Sequence, residues 1–202
     1  MQQYFQPWIG KNYSTGGMFE IPILILGESI YEWEDEKLSP DRVVELVRNN
    51  ATGLETHKFY TNLFLAFTQK QRTVENKRIF WDSVSHFNYI ISPIQGGPRI
   101  APTSQMVKDA KSEFFNRIEM LGTIPSCVIV LGKRLWGYLP EQGEQGPDIV
   151  INDMKHRTLI YNGVCQKQIY LTWIYHPSVG FSSNHWYLII NKFITMVKDK
   201  MA

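Results

Sequence analysis

The chain has 202 residues, 44% of them hydrophobic and 20% charged. That composition excludes a disordered or collagen-like chain, and the length suits a single domain over 1–202 with room for a proper core. A net charge of +2 excludes a strongly polybasic or polyacidic protein and leaves a locally basic face open.

Residues 1–20 are punctuated by Pro7, Gly10, Gly16 and Gly17 and carry Tyr4, Phe5, Trp8 and Tyr13, so an ordered arm packed on the domain is expected. Ile23-Leu24-Ile25-Leu26 is an unbroken apolar run that breaks at Gly27, the pattern of a buried parallel strand. Polar and aromatic residues follow at once: Glu28, Ser29, Tyr31, Glu32 and Trp33. Ser39 as N-cap and Pro40 at the first helical position predict a helix to about Asn49, ending near Asn50 and Gly53. Residues 56–68 place Phe59, Leu63, Phe64 and Phe67 at helical spacing. A helix over 76–86, with Phe80, Trp81 and Val84 inward, leads into the strand-like run Phe87-Asn88-Tyr89-Ile90-Ile91.

Residues 93–102, holding Gly96, Gly97 and Arg99, form a loop. Thr103 caps a helix to about Leu121 with Val107, Phe114, Ile118 and Leu121 apolar, stopped by Gly122 and Pro125. The run 126–131 is a second buried strand, ended by Gly132, and Lys133-Arg134-Leu135-Trp136 starts a short helix at its carboxyl end. Residues 142–147 form a loop, and short apolar runs occupy 149–151 and 158–162. A strand over 169–178 ends in His176-Pro177-Ser178, where proline holds His176 out of the helical region. A last helix over 184–200 sets Leu188, Ile189, Phe193 and Val197 on one face.

Strands alternating with helices imply βαβ units and a mostly parallel sheet, a three-layer α/β/α sandwich. Ligands of such sheets sit outside the carboxyl ends of the strands. Three strand ends here read LGES, LGKR and YHPS: a carboxylate, a basic pair and a histidine, a set suited to an anionic ligand. Dinucleotide, P-loop and nucleophile-elbow fingerprints are missing. No run is long and apolar enough to span a bilayer, and MQQYFQPWIGKNY lacks a signal pattern. Cys127 and Cys165 point to a reducing cytosol and are too few for a four-cysteine iron–sulfur cluster. The five scattered histidines lack metal-ligand spacing.

LILGESIY, HFNYI, VIVLGKRLW and HPS, in this order, resemble the uracil-DNA glycosylase superfamily, with the likeness spread over most of residues 5–195. PWIGKNY together with LGESIY is similar to a bacterial glycosylase-like branch of it. The resemblance implies a monofunctional, cofactor-free DNA glycosylase, monomeric and cytoplasmic. It would hydrolyse the N-glycosidic bond of a flipped-out base and leave an abasic site. His176 would stabilise the departing base, Asn88 would read its edge, and Tyr31 would stack on it or exclude bulky groups. Ser178, Lys133 and Arg134 would touch phosphates, and Phe181, after HPS, would be either a wedge in the duplex or a residue packed near Tyr187. Ser29 stands where some members carry a water-positioning acid, leaving Glu28 or Glu32 for that task. Ile30 replaces the family proline. The substrate stays open among uracil, a damaged base, and a modified cytosine of phage DNA, the last implying anti-phage defence. A catalytically inactive nucleic-acid-binding module on the same fold, and an unrelated α/β hydrolase using His176, are the alternatives.

Overall fold

The computed structural model describes residues 5–32, 38–97, 100–178 and 180–201. Tyr4, Trp33, Arg99 and Val179, singled out above or adjoining the HPS corner, lie outside them. In chain order, β1 (Trp8–Ile9), β2 (Ile23–Gly27) and β3 (Tyr31–Glu32) precede helices α1 (Arg42–Thr52), α2 (Lys58–Thr68) and α3 (Val74–Asp82). Next come β4 (Val84–Asn88), β5 (Ile94–Gln95), α4 (Ser104–Glu119), β6 (Cys127–Leu131) and the single turn α5 (Lys133–Trp136). The chain closes with β7 (Glu144–Gln145), β8 (Ile149–Ile151), β9 (Met154–His156), β10 (Thr158–Val164), β11 (Lys167–Ile174) and α6 (Ser183–Met201).

Seven strands form one sheet in the order β1-β4-β2-β6-β11-β10-β7. The four central strands, β4, β2, β6 and β11, are mutually parallel, while β1, β10 and β7 pair antiparallel at the edges. Alternate side chains of β2 enter opposite cores, as the two-residue period of a strand requires. Ile23 and Ile25 pack with residues of α1, α2, α3 and α6, and Leu24 and Leu26 with residues of α4 and α5. Helices thus cover both faces of a mostly parallel sheet.

This topology fixes where a ligand site belongs. From β2 the chain crosses to β4 on one side, then returns past β2 to β6 and moves outward to β11. Connections therefore leave β2 and β6 in opposite directions, which opens a crevice at their carboxyl ends.

From residue 5 the N-terminal segment lies on the sheet: β1 extends it against β4, the indole of Trp8 donates to Trp81 O at 2.8 Å, and Tyr13 is buried. Several boundaries differ from expectation. Helix α3 stops at Asp82, so Val84 to His86 lie in β4 and not in a helix. The cause is local: the Ser83 hydroxyl donates to Ile79 O at 2.7 Å and accepts from Met18 N–H at 3.0 Å, which ends the helix and ties it to the arm. The strand ends at Asn88, and the next two amides still donate towards β2, Tyr89 N–H to Gly27 O and Ile90 N–H to Glu28 O, each at 2.8 Å. Helix α1 begins at Arg42 and not at Pro40, since the Ser39 hydroxyl accepts from Asp41 N–H in a short turn. Glu144 and Gln145, expected in a loop, add an edge strand against β10. Leu188 is 51% exposed, so the buried stripe of α6 runs through Trp186, Ile189, Ile190, Phe193 and Val197 instead.

Candidate functional site

Four parallel strand ends meet at one rim: Gly27-Glu28 after β2, Asn88 closing β4, Gly132-Lys133-Arg134 after β6, and His176 two residues past β11. Gly27 and Asn88 are register partners. A Cβ at position 27 would lie 2.2 Å from Asn88 Oδ1 and 3.3 Å from His86 Cε1, so the missing side chain is what lets the Asn88 amide lie across the end of β2. Gly27 needs no left-handed backbone here; its role is close approach. The backbone below Asn88 is held by Arg117, which donates to Asn88 O at 2.6 Å and Tyr89 O at 3.2 Å and lies 4.4 Å over the Phe87 ring.

Glu28 and Arg134 close the crevice between β2 and β6. Arg134 Nε donates to Glu28 Oε2 at 2.8 Å and Nη2 donates to Oε1, a two-point ion pair. This hydrogen bonding raises the guanidinium's pKa against the burial that would lower it. Glu28 is the more enclosed partner, its side chain 11% exposed against 44% for Arg134. Beside it, the Ser29 hydroxyl oxygen is buried with no hydrogen-bond partner among the described residues, as are Asn50 Nδ2 and Asp148 Oδ1 elsewhere in the fold. Such a group ordinarily costs stability.

The His176 corner is braced from α2. Phe59 and Asn62 stand three residues apart and so share one helix face. Phe59 packs on the imidazole with ring centres 5.2 Å apart, and Asn62 Nδ2 donates to Pro177 O at 3.3 Å and Ser178 O at 3.5 Å. Ser178 N–H returns to His176 O at 2.6 Å, and the Ser178 side chain is exposed. His176 meets solvent on one side and is crowded on the other. Its pKa falls below the ordinary histidine value because of that partial burial; nearby Arg134 pushes the same way and Glu28 opposes. A pKa moved in this direction favours the uncharged imidazole, which can donate one N–H without carrying charge.

Other expected residues divide. Lys133 is exposed at the same rim, and Tyr31 lies close enough to Arg134 to influence it electrostatically. Glu32 is placed otherwise: its carboxylate accepts from Gln95 Nε2 and from Leu38 N–H at 2.8 Å, which ties it to the β3–β5 ribbon. These two donors hold the Glu32 carboxylate against β5 and Leu38. Phe181 is not an exposed wedge; it is half-buried and stacked on Trp186, ring centres 6.3 Å apart and planes 19° apart. Its contact on the final helix is Trp186.

Sequence reading missed Phe59, Asn62, Arg117 and His86. The aromatic stripe of α2 had absorbed Phe59 as core, and nothing in the chain's order links α2 to HPS. His86 is fully enclosed beneath the rim, its Nδ1 2.9 Å from Ile25 O, and burial lowers its pKa to about 4. The carbonyl partner requires the proton on Nδ1, so this ring is a neutral core element.

Among the described residues no group of three or more His, Cys, Asp or Glu side chains gathers where a metal could be held, and no helix is long and apolar enough to cross a membrane. Cys127 is buried and Cys165 exposed, both as free thiols. No protein-family model matches the chain, and no curated protein matches its sequence.

Proposed function

We propose that the chain is a DNA N-glycosylase that acts at the crevice between the carboxyl ends of β2 and β6. One observation carries the reading: an amide (Asn88), an imidazole (His176) and a buried hydroxyl with no partner among the described residues (Ser29) stand at the same rim, around a glycine that allows close approach. The sequence resemblance and the sheet order are in keeping with it. Asn88 offers one donor and one acceptor, enough to pair with the edge of an extruded base. Breaking the glycosidic bond sends its electron pair to the base and leaves an oxocarbenium-like sugar; water captures the sugar, and the proton it loses neutralises the departed base anion. The His176 N–H, preorganised and uncharged, stabilises the base anion as it forms. Glu28, gripped by Arg134, is no free general base; its negative charge faces the developing sugar cation, and the Ser29 hydroxyl is the group left to hold the water. Lys133 and Ser178, exposed on the rim, meet phosphates.

The Glu28–Arg134 pair also favours the second reading, an inactive binding module, because it ties up the Glu28 carboxylate that would otherwise be free at the rim. Incubation of the protein with oligonucleotides containing uracil, damaged bases or phage-type modified cytosines, followed by alkaline cleavage at abasic sites, separates the two. His176→Ala is expected to cut base release by about a hundredfold or more. Asn88→Ala is expected to raise the barrier by about 1–3 kcal/mol. Tight DNA binding with no base released from any of these substrates would leave only the binding module.

A further inference from the structure

Next to the His176 corner a cavity of about 320 Å³ opens between β11, the β8–β9 hairpin and the start of α6. Trp173, Tyr175 and Trp186 form its aromatic walls, with Ile151 and Ile189 as apolar lining. The Trp173 and Tyr175 rings are 5.6 Å apart at 40°, and Tyr175 and Trp186 are 5.1 Å apart at 62°, so flat faces meet at an angle around a slot. Tyr175 is 57% exposed, an unusual position for a large ring with neighbours on which it could be covered. His156, also in the lining, is pinned by Trp173 O at 2.6 Å from its Nε2.

Lys155 and the His185 ring line the slot and are exposed, and among its described lining residues Lys155 is the charged side chain and none carries a carboxylate. Such a rim repels a cation that might otherwise lodge against aromatic faces, and it favours an anion with a flat apolar part. The volume is at the low end for small-molecule sites, enough for one nucleoside-sized group and not for a folded partner. Tyr175 is the residue before His176, and Gly180 of the lining follows the HPS turn, so the slot continues the rim where the DNA strand is placed above.

We propose that this aromatic slot is a stacking site for one unpaired nucleobase of a single strand, with Lys155 and His185 meeting the adjoining phosphates. This rests on the reading that the chain binds DNA, and not on base release. Stacking on tyrosine and tryptophan accepts any base, because every base has a π-face. The site would hold the strand beside the extruded nucleotide without reading sequence.

The test is fluorescence anisotropy of a short labelled oligothymidylate titrated with the full chain, its fold checked by thermal melting. Tyr175→Ala is expected to weaken binding by about five- to a hundredfold, the range for losing one stacked base. Tyr175→Phe, which keeps the ring, should bind like the wild type. Lys155→Glu should weaken binding and flatten its salt dependence. Folded Tyr175→Ala and Lys155→Glu proteins that bind like the wild type overturn the proposal, as does displacement of the oligonucleotide by choline. If the wild type releases no base yet binds through Tyr175, the stacking site stands and the glycosylase reading falls. If base is released while Tyr175→Ala binds normally, only the stacking site falls.

Discussion

Glu28 and Arg134 tie together the ends of two neighbouring parallel strands by a two-point ion pair across the crevice of the sheet. The pair is half open to solvent on the arginine side, so its stabilising effect is modest, about 1 kcal/mol. Its larger effect is geometric, because it fixes a carboxylate beside Ser29. Arg134→Lys keeps the charge but loses the planar fork. The expected result is near-normal stability in denaturant and base release slowed by up to about a hundredfold, the scale on which a misplaced group costs rate. An unchanged rate in both Arg134→Lys and Arg134→Ala would show that the pair only holds the strands.

Gly27→Ala tests close approach at the rim. The new methyl would meet the far end of the Asn88 side chain at 2.2 Å, and that amide can swing aside more easily than backbone can. Stability should therefore fall little, by about 1 kcal/mol. The displaced amide should lower base release as much as Asn88→Ala does, and the double variant should be no worse than either single one, because both remove the same contact. Additive losses would separate Gly27 from Asn88.

His86 predicts an acid-sensitive fold. Its folded pKa is lowered to about 4 by burial, from an ordinary 6.5. The unfolded chain therefore takes up a proton first as pH falls, and stability present above about pH 6.5 is lost progressively towards pH 4. A difference of roughly 2.5 units corresponds to about 3 kcal/mol. Urea unfolding at pH 7 and pH 4.5 should show a loss of that order, and His86→Leu should flatten it even if its stability at pH 7 is lower. An equally steep slope in the variant would assign the acid sensitivity to other groups, His156 and His176 included, whose pKa values burial also lowers.

The sheet was legible because its strands are short apolar runs closed by glycine: β2 and β6 lie where their sequences put them, and the rim residues Glu28, Asn88, Arg134 and His176 all stand at strand ends. Errors arose where a tertiary partner decided a local choice. Val84 to His86 have a helical neighbour before them, yet pairing with β2 draws them into the sheet. The brace of Phe59 and Asn62 spans more than a hundred residues of sequence, so no local pattern announces it. The contacts of Glu32 with Gln95 and Leu38 were not legible either, because a carboxylate near a strand end has the same one-letter appearance whatever donors it meets.

Phe181 decides what the segment after HPS contributes. Its amide donates to Ser178 O at 3.3 Å, and Gly180 at φ 78° supplies the left-handed turn that points the ring back onto Trp186. Trp186 in turn touches Tyr175 and His156, so Phe181 is the outer layer of an aromatic stack that reaches the slot. To enter a duplex the ring would first have to leave that stack and expose the Trp186 face it covers. Phe181→Ala is therefore expected to cost about 1–2 kcal/mol, less than the 3–5 kcal/mol of a fully buried phenylalanine because the ring is half-exposed. Base release from duplex and single-stranded DNA should fall together, since the loss reaches both through the slot. Thermal melting and the abasic-site assay on both DNA forms measure the two effects. Unchanged stability with a loss confined to duplex substrate would return Phe181 to the role of a wedge.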